Sequence, residues 1–362
     1  MLPSAPITRY FHAMANFKSL RAPDDFIVAG LAKPVAAGDL AAVTARYAVA
    51  MTPALAALVD RSDPRDPIAL QFVPDIRELN VTPEEREDPI GDHAHSPVTG
   101  IVHRHRDRVL FKPVSVCPVY CRFCFRREMV GPDKDGVLSV SEMNAALGYI
   151  RDHDEIWEVI LTGGDPLMMS PRRIAEITDA IGVISHVKVI RWHTRMPVAD
   201  PQRLSDEVCA ALASRHGKAV YVAAHVNHAR ELSEAARTAF ARLAGHGIGL
   251  LSQSVLLAGV NDNLEALADL MRALVSAGVK PYYLHHTDLA PGTSHFRVSV
   301  ARGQALMQAL RDNVSGLCVP TYVIDIPGGV SKANAALPDV QVDEAGLSLR
   351  GRDGIWRDYA VD

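Results

Sequence analysis

The sequence predicts an α/β fold whose parallel sheet is either open or curled into a barrel. From about residue 106 onward, short apolar runs alternate with amphipathic stretches of helical periodicity, which is the pattern of repeated βαβ units. The runs are nearly continuously apolar, as expected of strands that are buried on both faces. Glycines and polar residues gather where the runs end, and in such folds the chemistry lies at the carboxyl ends of the strands.

Each strand and helix of this region is predicted from its own pattern. The strand-like runs are "RVLFKPVSV", "WEVILTGG", "VKVIRWHT", "AVYVAAHV", "IGLLSQSVLL", "KPYYLHHT" and "TYVIDIPGG". Helical periodicity lies between them, in segments such as "SVSEMNAALGYIRDH", "SPRRIAEITDAI", "RELSEAARTAFARLAGHG" and "NLEALADLMRALVSAG".

The α/β region is predicted to span residues 96–335, with a smaller segment on either side. Within residues 1–95, "AAGDLAAVTARYAVAMTPALAALV" has helical periodicity, whereas the stretch after it is broken repeatedly by proline. We therefore expect a helical N-terminal region that continues into an irregular arm. Residues 336–362 are expected to form a short C-terminal appendage.

The composition is that of a soluble globular protein, with 48% hydrophobic and 22% charged residues in a chain of 362. A net charge of -4 gives no sign of the clustered basic face through which proteins bind nucleic acid. No apolar run approaches the roughly 20 residues of a membrane span, and the N-terminus lacks the apolar core of a signal peptide. The expectation is a cytoplasmic protein that has neither nucleic acid nor a membrane as a partner.

Three of the five cysteines lie close together in the stretch "SVCPVYCRFCFRRE", directly after the first strand of the α/β region. Cys117, Cys121 and Cys124 have the spacing C-x3-C-x2-C, and thiolates are soft ligands that suit zinc or iron–sulfur clusters. A structural zinc site takes four ligands, so a zinc loop here would need a distant His or Cys. A 4Fe–4S cluster held by three thiolates would instead keep one iron free for another ligand.

This stretch resembles the signature of the radical S-adenosylmethionine (SAM) superfamily, C-x3-C-x-aromatic-C, in which Phe123 supplies the aromatic residue. The resemblance implies a partial (β/α)6 barrel and a 4Fe–4S cluster whose free iron binds the amino and carboxylate groups of SAM. It also implies that Phe123 lies against the adenine. "TGGDP", with Gly163, Gly164 and Asp165, resembles the strand end that holds the SAM amino group through backbone contacts.

Polar residues at other predicted strand ends are further candidates for contacts with SAM. They are His225, Asn227 and Gln253. For each of them, a packed side chain that is satisfied by hydrogen bonds within the protein is an equally good interpretation.

Over most of its length the sequence is similar to the lysine 2,3-aminomutases. The similarity runs from "DPRDPIALQFVP" to Lys332 and includes, in the order of the family, "SPVTGIVHRHRDRVLF", "CRFCFRR", "LTGGDPL", "HTRMPV", "SQSVLLAGVND", "LHHTDLAPGTSHFR" and "SGLCVPTYVIDIPGGVSK". It implies that Lys332 carries pyridoxal phosphate (PLP). It further implies that Arg104, His105 and Arg108 bind the PLP phosphate, although the family more often has tyrosine at the position of His105.

Three charged residues match positions that bind the substrate in this family. Arg126 corresponds to the arginine that pairs with the α-carboxylate, and a bidentate guanidinium also fixes the orientation of its partner. Asp288 in "HHTDLAPG" and Asp325 in "VIDIPGG" correspond to the aspartates that hold the side-chain ammonium of lysine. Two carboxylates favour a cationic substrate tail over the anionic tail of glutamate, because an unpaired buried charge is costly.

The function that the resemblance implies is that of an isomerase, which interconverts L-lysine and β-lysine by moving the amino group between Cα and Cβ. In this family SAM is cleaved reversibly to a 5′-deoxyadenosyl radical, and the substrate is held on PLP. An electron donor of the flavodoxin or ferredoxin type is expected as a partner. A homodimer or larger assembly also fits the family.

Several alternatives remain open at the level of the sequence. Bacterial homologues of similar length make β-lysine for attachment to elongation factor P, although they often lack the aspartate that this chain has in "VIDIPGG". Arginine, glutamate or another amino acid is a further candidate substrate. A non-catalytic iron–sulfur or zinc regulator would need neither Lys332 nor the acidic pair, all of which are present.

No structural zinc is expected in this chain. Larger lysine aminomutases carry additional cysteines for zinc, most of them in a C-terminal extension, whereas this chain has no cysteine beyond Cys318. Cys209 and Cys318 are interpreted as small buried hydrophobic residues.

Overall fold

A mixed sheet of nine strands forms the centre of the part of the chain that the structure describes. The computed structural model describes residues 19–131, 136–213, 216–343, 346–351 and 354–359. The strands lie side by side in the order in which the chain makes them. They are β1 (Ile101–His105), β2 (Arg108–Val114), β3 (Glu158–Gly163), β4 (Val189–Thr194), β5 (Ala219–His225), β6 (Gly249–Val255), β7 (Lys280–His285), β8 (Thr321–Asp325) and β9 (Lys332–Asn334).

Helices precede the sheet and connect its strands. Those before the sheet are α1 (Pro23–Val28), α2 (Ala37–Arg46), α3 (Pro53–Ala56) and α4 (Pro67–Phe72). Those after β2 are α5 (Val140–Asp152), α6 (Pro171–Gly182), α7 (Met196–Ala199), α8 (Asp206–Leu212), α9 (Glu234–Gly245), α10 (Leu264–Ser276) and α11 (Val300–Asn313). Within the described ranges, none of these helices is long and apolar enough to cross a membrane.

Strands β2 to β8 are parallel, and β1 and β9 pair antiparallel with β2 and β8 at the two edges of the sheet. A helix of about two turns or more crosses over between successive parallel strands; these helices are α5, α6, α8, α9, α10 and α11. Each begins at a Ser or Asn side chain that caps its first turn, for example Ser139 before α5. Six βα units followed by β8 form a curled sheet, which confirms the predicted partial (β/α)6 barrel.

The main hydrophobic core lies between the sheet and the apolar faces of the crossover helices. In α10, Leu267, Leu270, Met271 and Leu274 recur at helical spacing, and all four are fully buried. Trp192 of β4 is the largest of the fully buried side chains of the sheet. This packing holds the carboxyl ends of the strands at fixed positions, where the polar residues of the sequence motifs lie.

In the N-terminal region, the stretch of helical periodicity contains two helices, α2 and α3, with an extended segment between them. Helix α2 ends after ten residues, and Met51 then exchanges backbone hydrogen bonds with Leu20 at 2.8 and 2.9 Å. Helix α3 starts at Pro53, whose fixed φ suits the first helical position, after Thr52 as its N-cap.

The C-terminal appendage forms a small sheet of its own. Its strands are β10 (Val340–Asp343), β11 (Gly346–Arg350) and β12 (Trp356–Tyr359), which pair antiparallel in chain order. Arg311 of α11 donates a hydrogen bond to the carbonyl oxygen of Leu337 at 3.2 Å. This contact ties the start of the appendage to the last crossover helix.

Candidate active site

A cavity of about 670 Å³ lies at the carboxyl ends of the parallel strands and extends into the barrel. Its wall includes Gly163 at the end of β3, His225 at the end of β5 and His285 at the end of β7. All the site residues predicted from the sequence except Asn227 line this cavity: Arg104, His105, Arg108, Cys117, Cys121, Phe123, Cys124, Arg126, Gly163, Gly164, Asp165, His225, Gln253, Asp288, Asp325 and Lys332. Parallel strands bring distant parts of the chain together at this edge of the sheet.

The three clustered cysteines line the cavity on the loop that follows β2. Burial raises the pKa of Cys117 well above its ordinary value, and burial together with Cys121 raises the pKa of Cys124 to about 11. Such thiols become thiolates when a metal replaces the proton. Within the described ranges, no group of three or more His, Cys, Asp or Glu side chains has the arrangement needed to hold a single metal ion. A 4Fe–4S cluster binds each thiolate through a different iron, and three thiols along one wall fit that donor set.

The glycine turn after β3 lies directly against the segment that leads to the cysteines. The N–H of Gly164 donates to the carbonyl oxygen of Val114 at 2.8 Å, and the N–H of Asp165 donates to that of Val116 at 2.9 Å. A Cβ on Gly163 would lie 2.4 Å from the oxygen of Val114, and a Cβ on Gly164 would lie 2.3 Å from the oxygen of Val116. The close approach of two backbones therefore requires glycine at both positions.

Asp165, which ends this turn, joins the ends of β3 and β4. Its carboxylate accepts hydrogen bonds from the hydroxyl of Thr194 at 2.7 and 2.9 Å, and from the N–H groups of Arg195 and Leu167 at 2.7 and 3.0 Å. Burial raises the pKa of this carboxyl group, although these donors favour the charged form. The side chain of Asp165 thus positions the glycine turn beside β4.

Aromatic and amide side chains form the wall next to the cysteines. The ring of Phe123 lies 5.6 Å from the ring of His225, measured between centroids. Burial lowers the pKa of His225 well below its ordinary value, so this ring is neutral. Gln253 lies 3.1 Å from a ring nitrogen of His193. Asn227 is fully buried, and its side-chain Oδ1 accepts the N–H of Val255, so it supports the wall from behind.

Positive charge gathers around Arg126, at a buried carboxylate that the sequence analysis did not identify. The Nε of Arg126 donates to Asp92 Oδ2 at 2.9 Å, and Arg104 and Lys112 lie 3.6 and 3.7 Å from the same carboxylate. Burial opposes the ionisation of Asp92, but the three cations outweigh it and lower its pKa to about 2. One carboxylate shared by three cations leaves a positive surplus that an anionic ligand group can neutralise.

Negative charge gathers around Asp325 and Asp288. Asp325 is the cross-strand partner of Lys332, whose ammonium contacts its carboxylate, and His285 Nδ1 lies 3.3 Å from the other oxygen. Burial opposes ionisation, but His285 and Lys332 hold the pKa of Asp325 well below its usual range. Burial and the nearby Asp325 raise the pKa of Asp288 to about 7. The two carboxylates therefore differ in charge near neutral pH.

A second glycine turn places Lys332 beside the β1–β2 hairpin. Gly328 and Gly329 have φ angles of +83° and +77°, which L side chains rarely adopt. A Cβ on Gly329 would lie 2.6 Å from Cδ of Arg104, so this turn packs against the arginine. The Nη1 of Arg104 donates to the carbonyl oxygen of Ile90 at 2.8 Å.

Basic and phenolic groups line the cavity on the hairpin side. Burial and the charges of Arg108 and Arg104 lower the pKa of His105, which is therefore neutral near pH 7. The hydroxyl groups of Tyr282 and Tyr283 lie 3.1 Å apart in the wall of the same cavity. Guanidinium and hydroxyl donors of this kind suit a phosphate group. The residues present therefore fit a phosphorylated cofactor attached to Lys332.

The sequence analysis missed Arg195 and His285, which line the cavity, and Asp92, which lies behind it and pairs with Arg126. Arg195 donates to Cys121 Sγ at 3.0 Å, and His285 Nδ1 lies 3.3 Å from Asp325 Oδ2. Arg195 lies in the segment "HTRMPV" and His285 in "LHHTDLAPGTSHFR", and the polar residues of these segments were the available signal. Asp92 had no such signal, because it lies in the arm that is broken by proline, 34 residues before Arg126.

Comparison with known proteins shows similarity over most of the chain. The model of the Radical SAM superfamily matches residues 111–271. An L-lysine 2,3-aminomutase of Acetoanaerobium sticklandii is 40% identical over 313 residues, which cover 86% of this chain and 75% of that protein. The protein of that name from Clostridium subterminale is 37% identical over 314 residues, covering 86% and 74%. The one from Escherichia coli K12 is 36% identical over 274 residues, covering 76% and 79%.

Proposed function

The chain belongs to the family of the L-lysine 2,3-aminomutases within the radical SAM superfamily, and on this premise we propose that it interconverts L-lysine and β-lysine. The observation that carries the proposal is the charge distribution of one cavity, with Arg126 in one part and Asp288 and Asp325 in another. Lysine has a carboxylate at one end and an ammonium at the other, so its two ends match these two parts. The enzyme is an isomerase that uses SAM and an iron–sulfur cluster.

In the proposed active site, Cys117, Cys121 and Cys124 hold the 4Fe–4S cluster. In the glycine turn after β3, the N–H groups of Gly164 and Asp165 already donate hydrogen bonds to the segment that leads to the cysteines. The groups that this turn would offer to the amino group of SAM are therefore its carbonyl oxygens. Phe123 and the neutral ring of His225 supply an apolar wall for the adenine. This wall also excludes water, which protects a radical from unwanted reactions.

The opposite side of the cavity is proposed to hold PLP. Lys332 supplies the amine for covalent attachment, and Arg104, His105 and Arg108 supply donors for the phosphate. When bound, SAM and PLP supply an organic radical that removes hydrogen and a conjugated ring that delocalises an unpaired electron. The protein would hold these groups and the substrate at fixed positions in one cavity.

Asp325 has a proposed role that changes with the state of Lys332. In this structure the lysine ammonium pairs with Asp325. With PLP attached to it, the nitrogen of Lys332 would no longer be the ammonium that pairs with Asp325, and this carboxylate would be available to the ammonium of an incoming substrate. Asp288 then contributes a second carboxylate, and Arg126 binds the α-carboxylate of the same substrate. The distance between the two charged regions would thus select an amino acid with a long cationic tail.

The test is an anaerobic assay of the reconstituted protein with SAM, PLP, dithionite and L-lysine, in which β-lysine is measured by mass spectrometry. We expect β-lysine from the wild-type chain. Lys332→Ala should give none, because the variant has no amine at that position to carry PLP. Its iron and sulfide content should equal that of the wild type, since Lys332 is not a cluster ligand in this proposal.

Arginine and glutamate serve as alternative substrates in parallel assays. Rearrangement of glutamate in place of lysine would contradict the role of Asp288 and Asp325. Rearrangement of arginine in place of lysine would support the proposed type of reaction and contradict the proposed substrate. An intact cluster that cleaves SAM with none of the three amino acids would overturn the proposed aminomutase activity.

A further inference from the structure

Arg195, which directly follows β4, has its guanidinium group against the sulfur of Cys121. Its Nη1 donates to Sγ at 3.0 Å. At Cys117 and Cys124 the nearby backbone N–H groups of Asp165 and Arg126, which carry no full charge, favour the thiolate instead. Cys121 is thereby distinguished from the two neighbouring cysteines by a donor that carries a full positive charge.

A buried network holds the guanidinium in this position. The Nη2 of Arg195 donates to Gln71 Oε1 at 2.7 Å and to Glu231 Oε2 at 2.6 Å. Asn227 in turn donates to Gln71 Oε1 at 3.1 Å. Arg195 is 5% exposed, and Gln71, Glu231 and Asn227 are fully buried. Networks of buried polar groups are rigid and strengthen each bond, so the N–H···S contact is preorganised.

We propose that Arg195 is a positioning residue that raises the reduction potential of the 4Fe–4S cluster by donating a charge-assisted hydrogen bond to Cys121. The proposal rests on the proposed function only in that the three cysteines hold the cluster. One-electron reduction by an external reductant adds negative charge to the cluster and its thiolate ligands. A fixed cation and an N–H donor stabilise the reduced form more than the oxidised form, which raises the potential.

Glu231 explains why a cation can be buried beside the cluster. Its carboxylate pairs with the guanidinium at 2.6 Å and so compensates the desolvation of Arg195. The pairing uses Nη2, whereas Nη1 remains directed at the sulfur. The planar fork of arginine allows both contacts at once, and a single lysine ammonium does not reproduce that geometry.

The test is a redox titration of the cluster, followed by EPR, in wild-type protein, Arg195→Met and Arg195→Lys. We expect Arg195→Met to lower the midpoint potential. At a fixed potential near the wild-type midpoint, the ratio of reduced to oxidised cluster should fall about tenfold, which corresponds to about 59 mV for one electron. Arg195→Lys keeps the charge but loses the fork, so it should shift the potential in the same direction by less.

Arg203→Met is the matched control. Arg203 is a half-buried arginine, whereas Arg195 is buried, and its hydrogen bonds go to the carbonyl oxygens of Leu167, Met168 and Met169 at 2.7, 2.7 and 3.0 Å. Its loss disturbs the same side of the barrel without removing a donor to sulfur. We expect the control to keep the wild-type potential.

The outcomes separate this proposal from the proposed function. An unchanged potential in an Arg195→Met protein with full iron and sulfide content would overturn the inference. If Arg195→Met does not bind the cluster, the midpoint potential of Arg195→Lys decides the test. Loss of the cluster in both variants would assign Arg195 to cluster retention and would also overturn the inference. A wild-type protein that binds no cluster would overturn the proposed function instead.

Discussion

At the scale of single residues, two aspartates in one cavity have opposite pKa shifts because their neighbours differ. Asp325 contacts the ammonium of Lys332 and the imidazole of His285, which stabilise its charged form. Asp288 is buried near that negative charge, and both effects favour its neutral form. A cationic ligand in the cavity would reverse this balance at Asp288.

We predict that kcat/KM for lysine rises with pH through an inflection at about 7 or above, since the pKa of Asp288 is raised to about 7 with Lys332 charged, and attachment of PLP would remove that charge. Asp288 must be ionised to hold the substrate ammonium, which itself stays protonated because its ordinary pKa is about 10.4. Below the inflection the slope should be about tenfold per pH unit, as for loss of one proton. Initial rates across this range measure it. In Asp288→Asn, KM should rise and the inflection should disappear, and an inflection that persists would contradict the assignment.

At the scale of elements, the contact between β2 and β3 depends on a glycine turn. Gly163 has a φ of +114°, and its missing side chain leaves room for the carbonyl oxygen of Val114. A side chain there would have to displace backbone that belongs to a parallel ladder. The strand end that faces the cysteines is therefore intolerant of even one methyl group.

Gly163→Ala is predicted to lower the free energy of unfolding by about 1–3 kcal/mol, because alanine meets both backbone strain and a steric clash. Gly148→Ala is the matched control. Gly148 lies inside α5 with open space around its Cα, so alanine should stabilise the protein by about 0.5–1 kcal/mol. Denaturant unfolding measures both values. Equal effects of the two substitutions would contradict the close approach of the two backbones.

At the scale of the whole molecule, the N-terminal region is joined to the cysteine loop through buried charge. The carboxylate of Glu78 accepts hydrogen bonds from Nε and Nη2 of Arg122 at 2.9 and 2.5 Å, and it also pairs with Arg127. The guanidinium of Arg127 lies 3.5 Å from the ring centroid of Tyr47. The two arginines of the loop thus reach into the N-terminal region and fix its position.

Glu78→Ala is predicted to destabilise the protein by about 3–5 kcal/mol, because it leaves two buried guanidinium groups without their carboxylate. Asp75→Ala serves as the comparison. It breaks the exposed pair of Asp75 and Arg77 and the N-cap hydrogen bond from the N–H of Arg77, and it should cost about 0.5–2 kcal/mol. Denaturant unfolding gives both values, and iron analysis should show reduced cluster content in Glu78→Ala alone. Similar costs for the two variants would argue against a buried junction.

The sequence by itself determined the partial barrel and the family. It also predicted the residues that line one cavity, from the cysteines to Lys332, and their individual roles remain predictions. These features could be recognised because strand and helix periodicity are local, and because the cysteine spacing and the glycine turns are short patterns. The same local patterns did not show that the N-terminal helical stretch is divided into α2 and α3, because the pairing of Leu20 with Met51 between them joins residues that are distant in sequence.

Tertiary structure alone decided which charges meet. Asp92 and Arg126 are 34 residues apart, Cys121 and Arg195 are 74 apart, and His285 and Asp325 are 40 apart. No periodicity connects positions at such separations, because their contacts depend on how the strands are ordered and how the arm packs against the barrel. The ionisation of the acidic pair and the donor to Cys121 follow from burial and proximity, which exist only in the folded chain.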